Sequence, residues 1–354
     1  MAEKRIVHVV GTGTIGEPLI GLLTDLREPF GIDEVTFHKR TPLLDERAKL
    51  EDLIRRGAKL AVNKESKADF EKIGHKPAYE QMEALERATV VIDCTPAGNE
   101  NKASLYNKVK GPLGFIAQGS EFGFGKMYAR GINDEALVRG EDRFLHVVSC
   151  NTHNLSVLIK SIAGTPDGKI RMKEGRFVTM RRANDISQDK DFSPAPKVGK
   201  HDDKDFGTHH ARDAYHVFKT LGHDLKLWSS AIKLNTQYMH AVWFDMILDD
   251  KITKDQVVSR LKENPRVCLT QKTSMNQVFS FGRDHGFFGR ILSQTVVSVP
   301  TLAMRGDNEI IGFCYTPQDG NALLSSLTGA LWFMYPEGFE KRIDAVRPYL
   351  FREI

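Results

Sequence analysis

Short runs of β-branched and other hydrophobic residues alternate with helical stretches over the first 150 residues. The hydrophobic runs span 5–10, 34–38, 89–94, 114–118 and 144–149. Strands that alternate with helices in this way form a mostly parallel sheet with helices on both faces. The pattern therefore predicts an α/β domain over 1–150, built on a doubly wound parallel sheet.

The pattern changes after about residue 165, where longer alternating segments replace the short runs. Residues 169–185 and 224–235 predict long strands of a mostly antiparallel sheet, and 254–263 predicts a helix that lies over it. The prediction is an α+β domain over 151–320, followed by a C-terminal helical segment, about 321–354, that packs back on the first domain. Residues 186–208 are polar and too long for an idle connector, which favours a functional or disordered loop.

Composition narrows the possible functions. The chain has 354 residues, 41% of them hydrophobic and 27% charged, and no apolar run approaches the length that a bilayer requires. The N-terminal residues lack the pattern of a secretory signal, so we expect a cytoplasmic protein. Four widely spaced cysteines form no CxxC pair, which argues against a metal site. The net charge of +4 is mild and dispersed, so nucleic acid and membrane are unlikely partners and a small anionic ligand fits better.

A glycine-rich motif follows the first predicted strand directly and opens a helix. In "GTGTIG", Gly11 allows the tight turn, Gly13 lets a pyrophosphate approach the backbone, and Gly16 lets helix and strand pack closely. Thr14 and Ile15 complete the loop at the helix N-terminus, where unpaired amides favour an anion. The motif predicts a Rossmann-like dinucleotide site, although a merely tight turn would also match it.

The end of the second predicted strand bears on the choice of dinucleotide. NAD sites usually have an acidic residue there to hold the ribose 2′-hydroxyl, whereas this chain reads His38, Lys39, Arg40, Thr41. Cations at this point favour the 2′-phosphate of NADP, with NAD still possible. The alternative is that Lys39 and Arg40 belong to a solvated loop.

Cys150 stands where a strand passes into an amphipathic helix. A helix N-terminus lowers the pKa of a thiol, and Asn151 and Thr152 are residue types that cap helices. A cysteine at a strand end is also often a small buried hydrophobic residue. The residues around Cys150 leave both interpretations open.

Taken together and in order, several short motifs resemble the archaeal-type, or class II, glyceraldehyde-3-phosphate dehydrogenases. They are "GTGTIG", Thr95 and Gly119 after the third and fourth predicted strands, "VVSCNT" at 147–152, "RRA" at 181–183 and "HHARD" at 209–213. The resemblance covers about 1–250. It implies a nicotinamide-binding domain, a catalytic domain, a homotetramer, and a role in glycolysis or gluconeogenesis.

The resemblance also implies roles for individual residues. Cys150 matches the catalytic cysteine, and His240, in "NTQYMHAVWF", matches the histidine that acts as base. A hydrogen-bonded histidine on a half-buried strand is the alternative for His240. Substrate contacts fall on Ser149, Asn151, Thr152, His209 and His210, and cofactor contacts, besides the glycine loop, on Thr95, Gly119, Arg182 and Gln318. Arg212 would add a phosphate clamp if it faced the site.

Three departures from the family pattern put the substrate in doubt. They are His153, where family members have a small hydroxyl residue, Asp319–Asn321 after Gln318, and the 186–208 segment. His153 lies on the helix of Cys150 itself, which places it poorly for holding substrate between the two.

These features predict an NAD(P)-dependent phosphorylating aldehyde dehydrogenase that acts on glyceraldehyde 3-phosphate. Cys150 would form a thioester, and inorganic phosphate would release it as an acyl phosphate. In reverse, the enzyme would reduce 1,3-bisphosphoglycerate. One alternative keeps the thioester but uses water or coenzyme A as acceptor, with another substrate. A second is a catalytically idle homologue that binds dinucleotide as a sensor or assembly partner.

Overall fold

The computed structural model describes residues 4–119, 121–185, 188, 193–317 and 319–354. The chain forms two compact units. The first comprises 1–126, 138–147 and 323–345, and the second comprises 127–137, 148–322 and 346–354.

The first sheet has eight strands in the order β4-β3-β2-β1-β5-β6-β8-β7. Their bounds are β1 Ile6–Val10, β2 Glu34–His38, β3 Lys59–Val62, β4 Tyr79–Glu80, β5 Val90–Asp93, β6 Gly114–Gln118, β7 Lys126–Tyr128 and β8 Phe144–Val147. The pairings from β4 through β8 are all parallel. The doubly wound parallel sheet predicted from the sequence is therefore confirmed.

Helices connect these strands, with bounds α1 Gly16–Asp25, α2 Arg27–Phe30, α3 Arg47–Arg55, α4 Lys67–Lys72, α5 Gln81–Arg87 and α6 Gly98–Ser104. The chain runs outward from β1 through β2 and β3 on one side, and from β5 through β6 on the other. Neighbouring loops diverge where this order reverses, between β1 and β5, and leave a crevice beyond the carboxyl ends of the strands. The glycine loop and Thr95 lie at this point.

The second sheet has seven strands in the order β10-β11-β9-β12-β15-β14-β13. Their bounds are β9 Met172–Arg181, β10 Lys197–Val198, β11 Leu227–Lys233, β12 His240–Leu248, β13 Val267–Thr270, β14 Thr295–Arg305 and β15 Glu309–Thr316. Most pairings are antiparallel, as predicted, but β9 and β11, the two strands anticipated from 169–185 and 224–235, pair with each other in parallel.

The remaining helices are α7 Cys150–Ala163, α8 His209–Lys219, α9 Lys254–Glu263, α10 Met275–His285, α11 Gly320–Met334 and α12 Phe339–Ile343. Helix α9 has the bounds expected from the sequence. Hydrophobic residues of α7, α8 and α9 share one core with the inward residues of β9, β12 and β15, including Leu158, Phe177, Phe244 and Phe218. None of the helices in the described ranges is long and apolar enough to cross a bilayer.

The opposite face of the second sheet carries an outward row of apolar side chains. Trp243 on β12 is paired with Val178 on β9 and with Phe313 on β15. Because directly paired residues point to the same face, the three side chains lie side by side. Phe313 is exposed, and Val178 and Trp243 are half-buried.

Candidate active site

Cys150 is the first residue of α7, the longest helix of the second unit's core. Ser149 is the N-cap, with its side-chain oxygen 3.3 Å from the Thr152 peptide nitrogen that donates to it. The prediction that Asn151 and Thr152 supply the cap was therefore wrong by two to three positions. The Ser149 oxygen thus accepts from one of the free peptide N–H groups at the start of the helix. Cys150 stands at this N-terminus, where the helix dipole favours a negative charge.

Opposing influences set the acidity of the thiol. Burial and the Asp319 carboxylate together raise the pKa of Cys150 to about 12, whereas Arg182 and the peptide N–H of Asn151 act in the opposite direction. The effect of the helix N-terminus on the thiol is therefore opposed by burial and by Asp319. The balance between Asp319 and Arg182 is the electrostatic control on its reactivity.

Arg182 follows β9 and is held between two carboxylates. Its guanidinium donates to Asp185 at 2.7 Å and to Asp319 at 3.4 Å. Burial alone would lower the pKa of Arg182, but Asp319, Cys150 and Asp185 raise it above its usual value. The structure thus places this residue, which the resemblance assigned to the cofactor, within electrostatic reach of the thiol.

His240 opens β12, the strand between β9 and β15. It is paired directly with Thr316, whose hydroxyl donates to the Asn151 side-chain oxygen at 2.9 Å. The strand position of His240 is thereby linked through Thr316 to the first turn of the Cys150 helix. The ends of three adjacent strands bring Arg182, His240 and Thr316 to one edge of the sheet, beside the start of α7.

One ring nitrogen of His240 has a fixed partner. The peptide N–H of Arg182 donates to Nδ1 at 3.0 Å. Burial, Arg182 and Arg181 hold the pKa of His240 well below its usual value. A neutral imidazole that accepts at Nδ1 carries its hydrogen on Nε2, and no described residue is hydrogen-bonded there.

His209 and His210 begin α8, with ring centroids 4.0 Å apart. Both line a cavity of about 280 Å³ together with Arg181, Lys200 and Arg212. The described part of the 186–208 segment contributes Lys200 and the carboxylates Asp202 and Asp203 to the same lining. Burial, Arg181 and Arg212 lower the pKa of His209 to about 4, so the ring is a neutral group beside basic ones.

The departure at His153 lies inside the fold. Its side chain is fully buried, and Nδ1 is 3.0 Å from the carbonyl oxygen of Ser149, to which it donates within the same helix. Neither cavity described in this section is lined by His153. The residue that made the substrate doubtful in the sequence therefore acts as part of the helix packing.

A second cavity, of about 450 Å³, lies in the first unit at the carboxyl ends of β1, β2 and β5. Five predicted cofactor residues line it: Gly11, Gly13, Lys39, Arg40 and Thr95. A Cβ built on Gly13 would meet no atom within 4 Å, whereas one on Gly16 would lie 2.1 Å from the Gly11 carbonyl oxygen. The backbone at Gly13 is therefore accessible from the cavity, and the backbone at Gly16 packs closely against Gly11. A bound pyrophosphate requires both features of the loop.

The charges in this cavity are arranged around one acid. Glu46 contacts Lys39 and also accepts from Lys49 at 2.7 Å. Arg40 is exposed, lines the cavity and has no hydrogen-bonded or ion-pair partner among the described residues. The cations outnumber the one carboxylate that reaches the cavity lining.

Other predicted residues lie away from this lining. Thr14, Ile15 and Gly16 form the turn into α1 beside it, and Gly119 directly follows β6, where its peptide N–H donates to the carbonyl oxygen of Val147. Gln318 lies outside the described residues. Sequence reasoning missed Asn63, Gln81 and Asn101 in the first-unit cavity and Lys200 in the second unit, and it named Asp319 only as a departure from the family pattern.

No group of three or more His, Cys, Asp or Glu side chains in the described ranges is arranged to hold a metal ion.

Comparison with known proteins gives consistent relatives. The chain is 30% identical over 264 residues to a glyceraldehyde-3-phosphate dehydrogenase of Metallosphaera sedula, covering 72% of each chain. It is 30% identical over 302 residues to one of Archaeoglobus fulgidus, covering 79% of each. A third, of Hyperthermus butylicus, is 29% identical over 315 residues, covering 86% of this chain and 85% of the relative. A scan against protein-family models found no match.

Proposed function

Since the chain belongs to the archaeal-type glyceraldehyde-3-phosphate dehydrogenase family, we propose that it catalyses the NAD(P)-dependent, phosphorylating oxidation of glyceraldehyde 3-phosphate. The observation that carries the proposal is the meeting of Cys150, Arg182 and His240 at one end of the strands of the second sheet, where Thr316 donates to the Asn151 side chain. The first unit would bind the dinucleotide and the second would carry the catalytic groups.

The cavity of the first unit fits a nicotinamide dinucleotide. Gly13 leaves room for the pyrophosphate, and Thr95 lies on the opposite side of the crevice. When bound, the nicotinamide supplies the acceptor for the hydride. Arg182 and Gln318 stay proposed contacts to the cofactor on the basis of the family resemblance.

Arg40 supports NADP over NAD. An arginine without a competing carboxylate is suited to a 2′-phosphate, and Lys39 and Lys49 already neutralise Glu46. We expect Arg40→Ala to raise the Kd for NADP at least tenfold and to change that for NAD less than threefold. Similar losses for both cofactors, measured by fluorescence titration, would contradict the assignment.

In the proposed reaction, Cys150 gives up its proton to water, and its sulfur attacks the aldehyde carbon. The carbonyl electron pair moves to the oxygen, next to Asn151. Loss of hydride from the resulting thiohemiacetal leaves a thioester on Cys150. Inorganic phosphate then attacks the acyl carbon, and the thiolate departs. Donors that hold the oxygen as it becomes negative are typically worth about 3–4 kcal/mol each.

His240 is best suited to be one of those donors. Because its Nδ1 accepts a peptide N–H, the neutral ring presents Nε2–H, which can hold the oxygen but cannot take up a proton. This differs from the role of base expected from the resemblance. Glutamine can also place an N–H donor at this reach, so we expect His240→Gln to retain at least ten times the kcat of His240→Ala. Equal kcat values for the two variants would favour a base.

The cavity beside α8 is the proposed site for the substrate phosphate. Arg181, Lys200, Arg212 and His209 surround it with basic and hydrogen-bonding groups. Cations of this kind bind phosphate oxygens through charge-assisted hydrogen bonds.

We also propose a homotetramer. The outward row of Val178, Trp243 and Phe313 is an apolar strip on the sheet face away from the core. Such a strip is typical of a surface that another subunit covers. Light scattering coupled to gel filtration would give the mass, and replacement of Trp243 by glutamate should lower it; a monomeric wild type would refute the proposal.

The function is tested by NADPH formation from glyceraldehyde 3-phosphate with and without inorganic phosphate or arsenate. The proposal predicts that NADPH forms only when phosphate or arsenate is present. Cys150→Ser should form no NADPH but should still bind NADP. Turnover that needs coenzyme A, or neither anion, would identify a different acyl acceptor. A protein that binds NADP without turnover would be the idle homologue.

A further inference from the structure

A continuous chain of buried side-chain hydrogen bonds passes through the residue that follows Cys150. It connects Cys314 to Asn154 (3.3 Å), Asn154 to Thr316 (2.8 Å), Thr316 to Asn151 (2.9 Å), Asn151 to His210 (3.4 Å), His210 to Thr208 (3.1 Å) and Thr208 to Ser229 (2.6 Å). All seven side chains are buried. The chain joins the ends of β15, α7, α8 and β11.

The direction of each hydrogen bond follows from its thiol end. The Cys314 thiol hydrogen has two acceptors within reach, the Asn154 oxygen at 3.3 Å and the Val242 carbonyl oxygen at 3.7 Å. With the nearer oxygen facing the thiol, the Asn154 nitrogen faces the Thr316 hydroxyl and donates to it. Thr316 then has one hydrogen left, which it donates to the Asn151 oxygen. If the Asn151 amide were reversed, two N–H donors would face the Thr316 hydroxyl and its own hydrogen would lose this acceptor. The Asn151 nitrogen therefore faces His210.

This order fixes the state of His210. Its Nε2 meets an N–H donor of Asn151, so Nε2 must be the unprotonated, accepting nitrogen. The hydrogen lies on Nδ1, which donates to the Thr208 hydroxyl, and Thr208 donates in turn to Ser229. The opposite tautomer would bring two N–H donors face to face in a buried position, where an unmade hydrogen bond is destabilising.

We infer that His210 is a positioning residue for Asn151 and not a ligand of the substrate phosphate. Both of its ring nitrogens are occupied within the chain of hydrogen bonds, whereas His209 lines the same cavity on the accessible side. Thr316 donates to the oxygen of the Asn151 amide, and His210 accepts one N–H of its nitrogen. The second N–H of Asn151 is left to donate to the carbonyl oxygen of the substrate. The inference rests on the proposed function, and it departs from the shared phosphate role that the family resemblance implies for the two histidines.

Kinetics with two aldehydes separates the roles. Glyceraldehyde lacks the phosphate but undergoes the same attack by Cys150. We expect His210→Ala to lower kcat about tenfold or more with both aldehydes, because a misplaced oxyanion donor costs rate. The ratio of kcat/KM for glyceraldehyde 3-phosphate to that for glyceraldehyde should stay within twofold of wild type. In the matched variant His209→Ala this ratio should fall at least tenfold.

Two further variants distinguish positioning from general damage. Thr316→Val removes the hydrogen bond to the Asn151 oxygen. Like His210→Ala, it should lower kcat with both aldehydes and leave the ratio of their kcat/KM values unchanged. His210→Gln offers an oxygen where Nε2 accepts, and it should restore part of kcat. A ratio that falls in His210→Ala, or an unchanged kcat, would overturn the inference.

Neutron diffraction from the deuterated wild-type protein tests the same inference without turnover. It should show deuterium on Nδ1 of His210 and none on Nε2, and deuterium on Nε2 would overturn the inference. A wild type that oxidised neither aldehyde would refute the proposed function, whereas the deuterium positions on His210 alone decide this inference.

Discussion

Replacement of Asp319 by asparagine should make Cys150 more reactive. Asp319 is buried, and its carboxylate both raises the pKa of the thiol and partly neutralises Arg182, which lowers it. Its backbone φ of 54° lies in the left-handed region, which asparagine tolerates better than most residues. The variant therefore removes the charge with little change in conformation.

The magnitude follows from Coulomb's law. A charge within about 4–6 Å of a titratable group shifts its pKa, and two unit charges at such a separation interact by about 3–4 kcal/mol at an effective dielectric constant of 20, of which Arg182 already compensates part. A net effect of about 1.4 kcal/mol corresponds to one pKa unit. The pKa of Cys150 should thus fall from about 12 by roughly one unit, since loss of a nearby negative charge favours the thiolate.

The assay is the rate of alkylation by iodoacetamide between pH 7 and 9. Because this range lies below the pKa, the rate follows the thiolate fraction and should rise about tenfold in Asp319→Asn. Asp185→Asn is the matched control, since its half-exposed carboxylate also contacts Arg182 but is not among the main influences on the thiol. An unchanged or slower rate in Asp319→Asn, or an equal rise in the control, would refute the electrostatic reasoning.

Other changes test the dinucleotide cavity and the acid stability of the first unit. Gly13→Ala should fold normally, because its Cβ meets no atom within 4 Å, but it should weaken NADP binding at least tenfold by filling the pyrophosphate position; Gly16→Ala, whose Cβ lies 2.1 Å from a backbone oxygen, should instead lower the melting temperature. Wild-type melting with weak NADP binding in both variants would contradict this division. Burial and His38 lower the pKa of His8 to about 3, so between pH 6.5 and 3 the unfolded chain holds one more proton at this residue than the folded chain. The free energy of unfolding therefore decreases by about 1.4 kcal/mol for each unit by which the pH is lowered through this range. Urea unfolding of His8→Asn should show a slope shallower by this amount, and an identical slope would exclude His8 as a source of acid instability.

The sequence predicted the first sheet well where its strands are buried on both faces. Strands β1, β2 and β5 are buried along their whole length and are rich in β-branched and other hydrophobic residues, as expected of parallel strands under two helical layers. Strand β4 was missed because two residues carry too little pattern to distinguish it from a loop, and β3, whose four residues begin with an exposed lysine, was missed as well. The parallel pairing of β9 and β11 was also not anticipated, since alternation within a strand does not record the direction of its neighbour.

The candidate site was predictable only where it is local in sequence. Cys150 and the glycine loop stand at recognisable junctions, whereas the contacts that tune them come from far along the chain. Thr316 lies 165 positions from Asn151, and Asp319 lies 137 from Arg182. His153 shows the reverse case, because as a departure from the family pattern it put the substrate in doubt, whereas its side chain is buried in α7 and lines neither of the cavities described above.

The most direct test of the central claim is mass spectrometry of the protein after it reacts with glyceraldehyde 3-phosphate and NADP in buffer without phosphate. A thioester intermediate has no acceptor under these conditions, so the account predicts a 3-phosphoglyceroyl group on the peptide that contains Cys150, and its release when phosphate is added. Unmodified Cys150 during ongoing NADPH formation, or an acyl group on another residue, would contradict it.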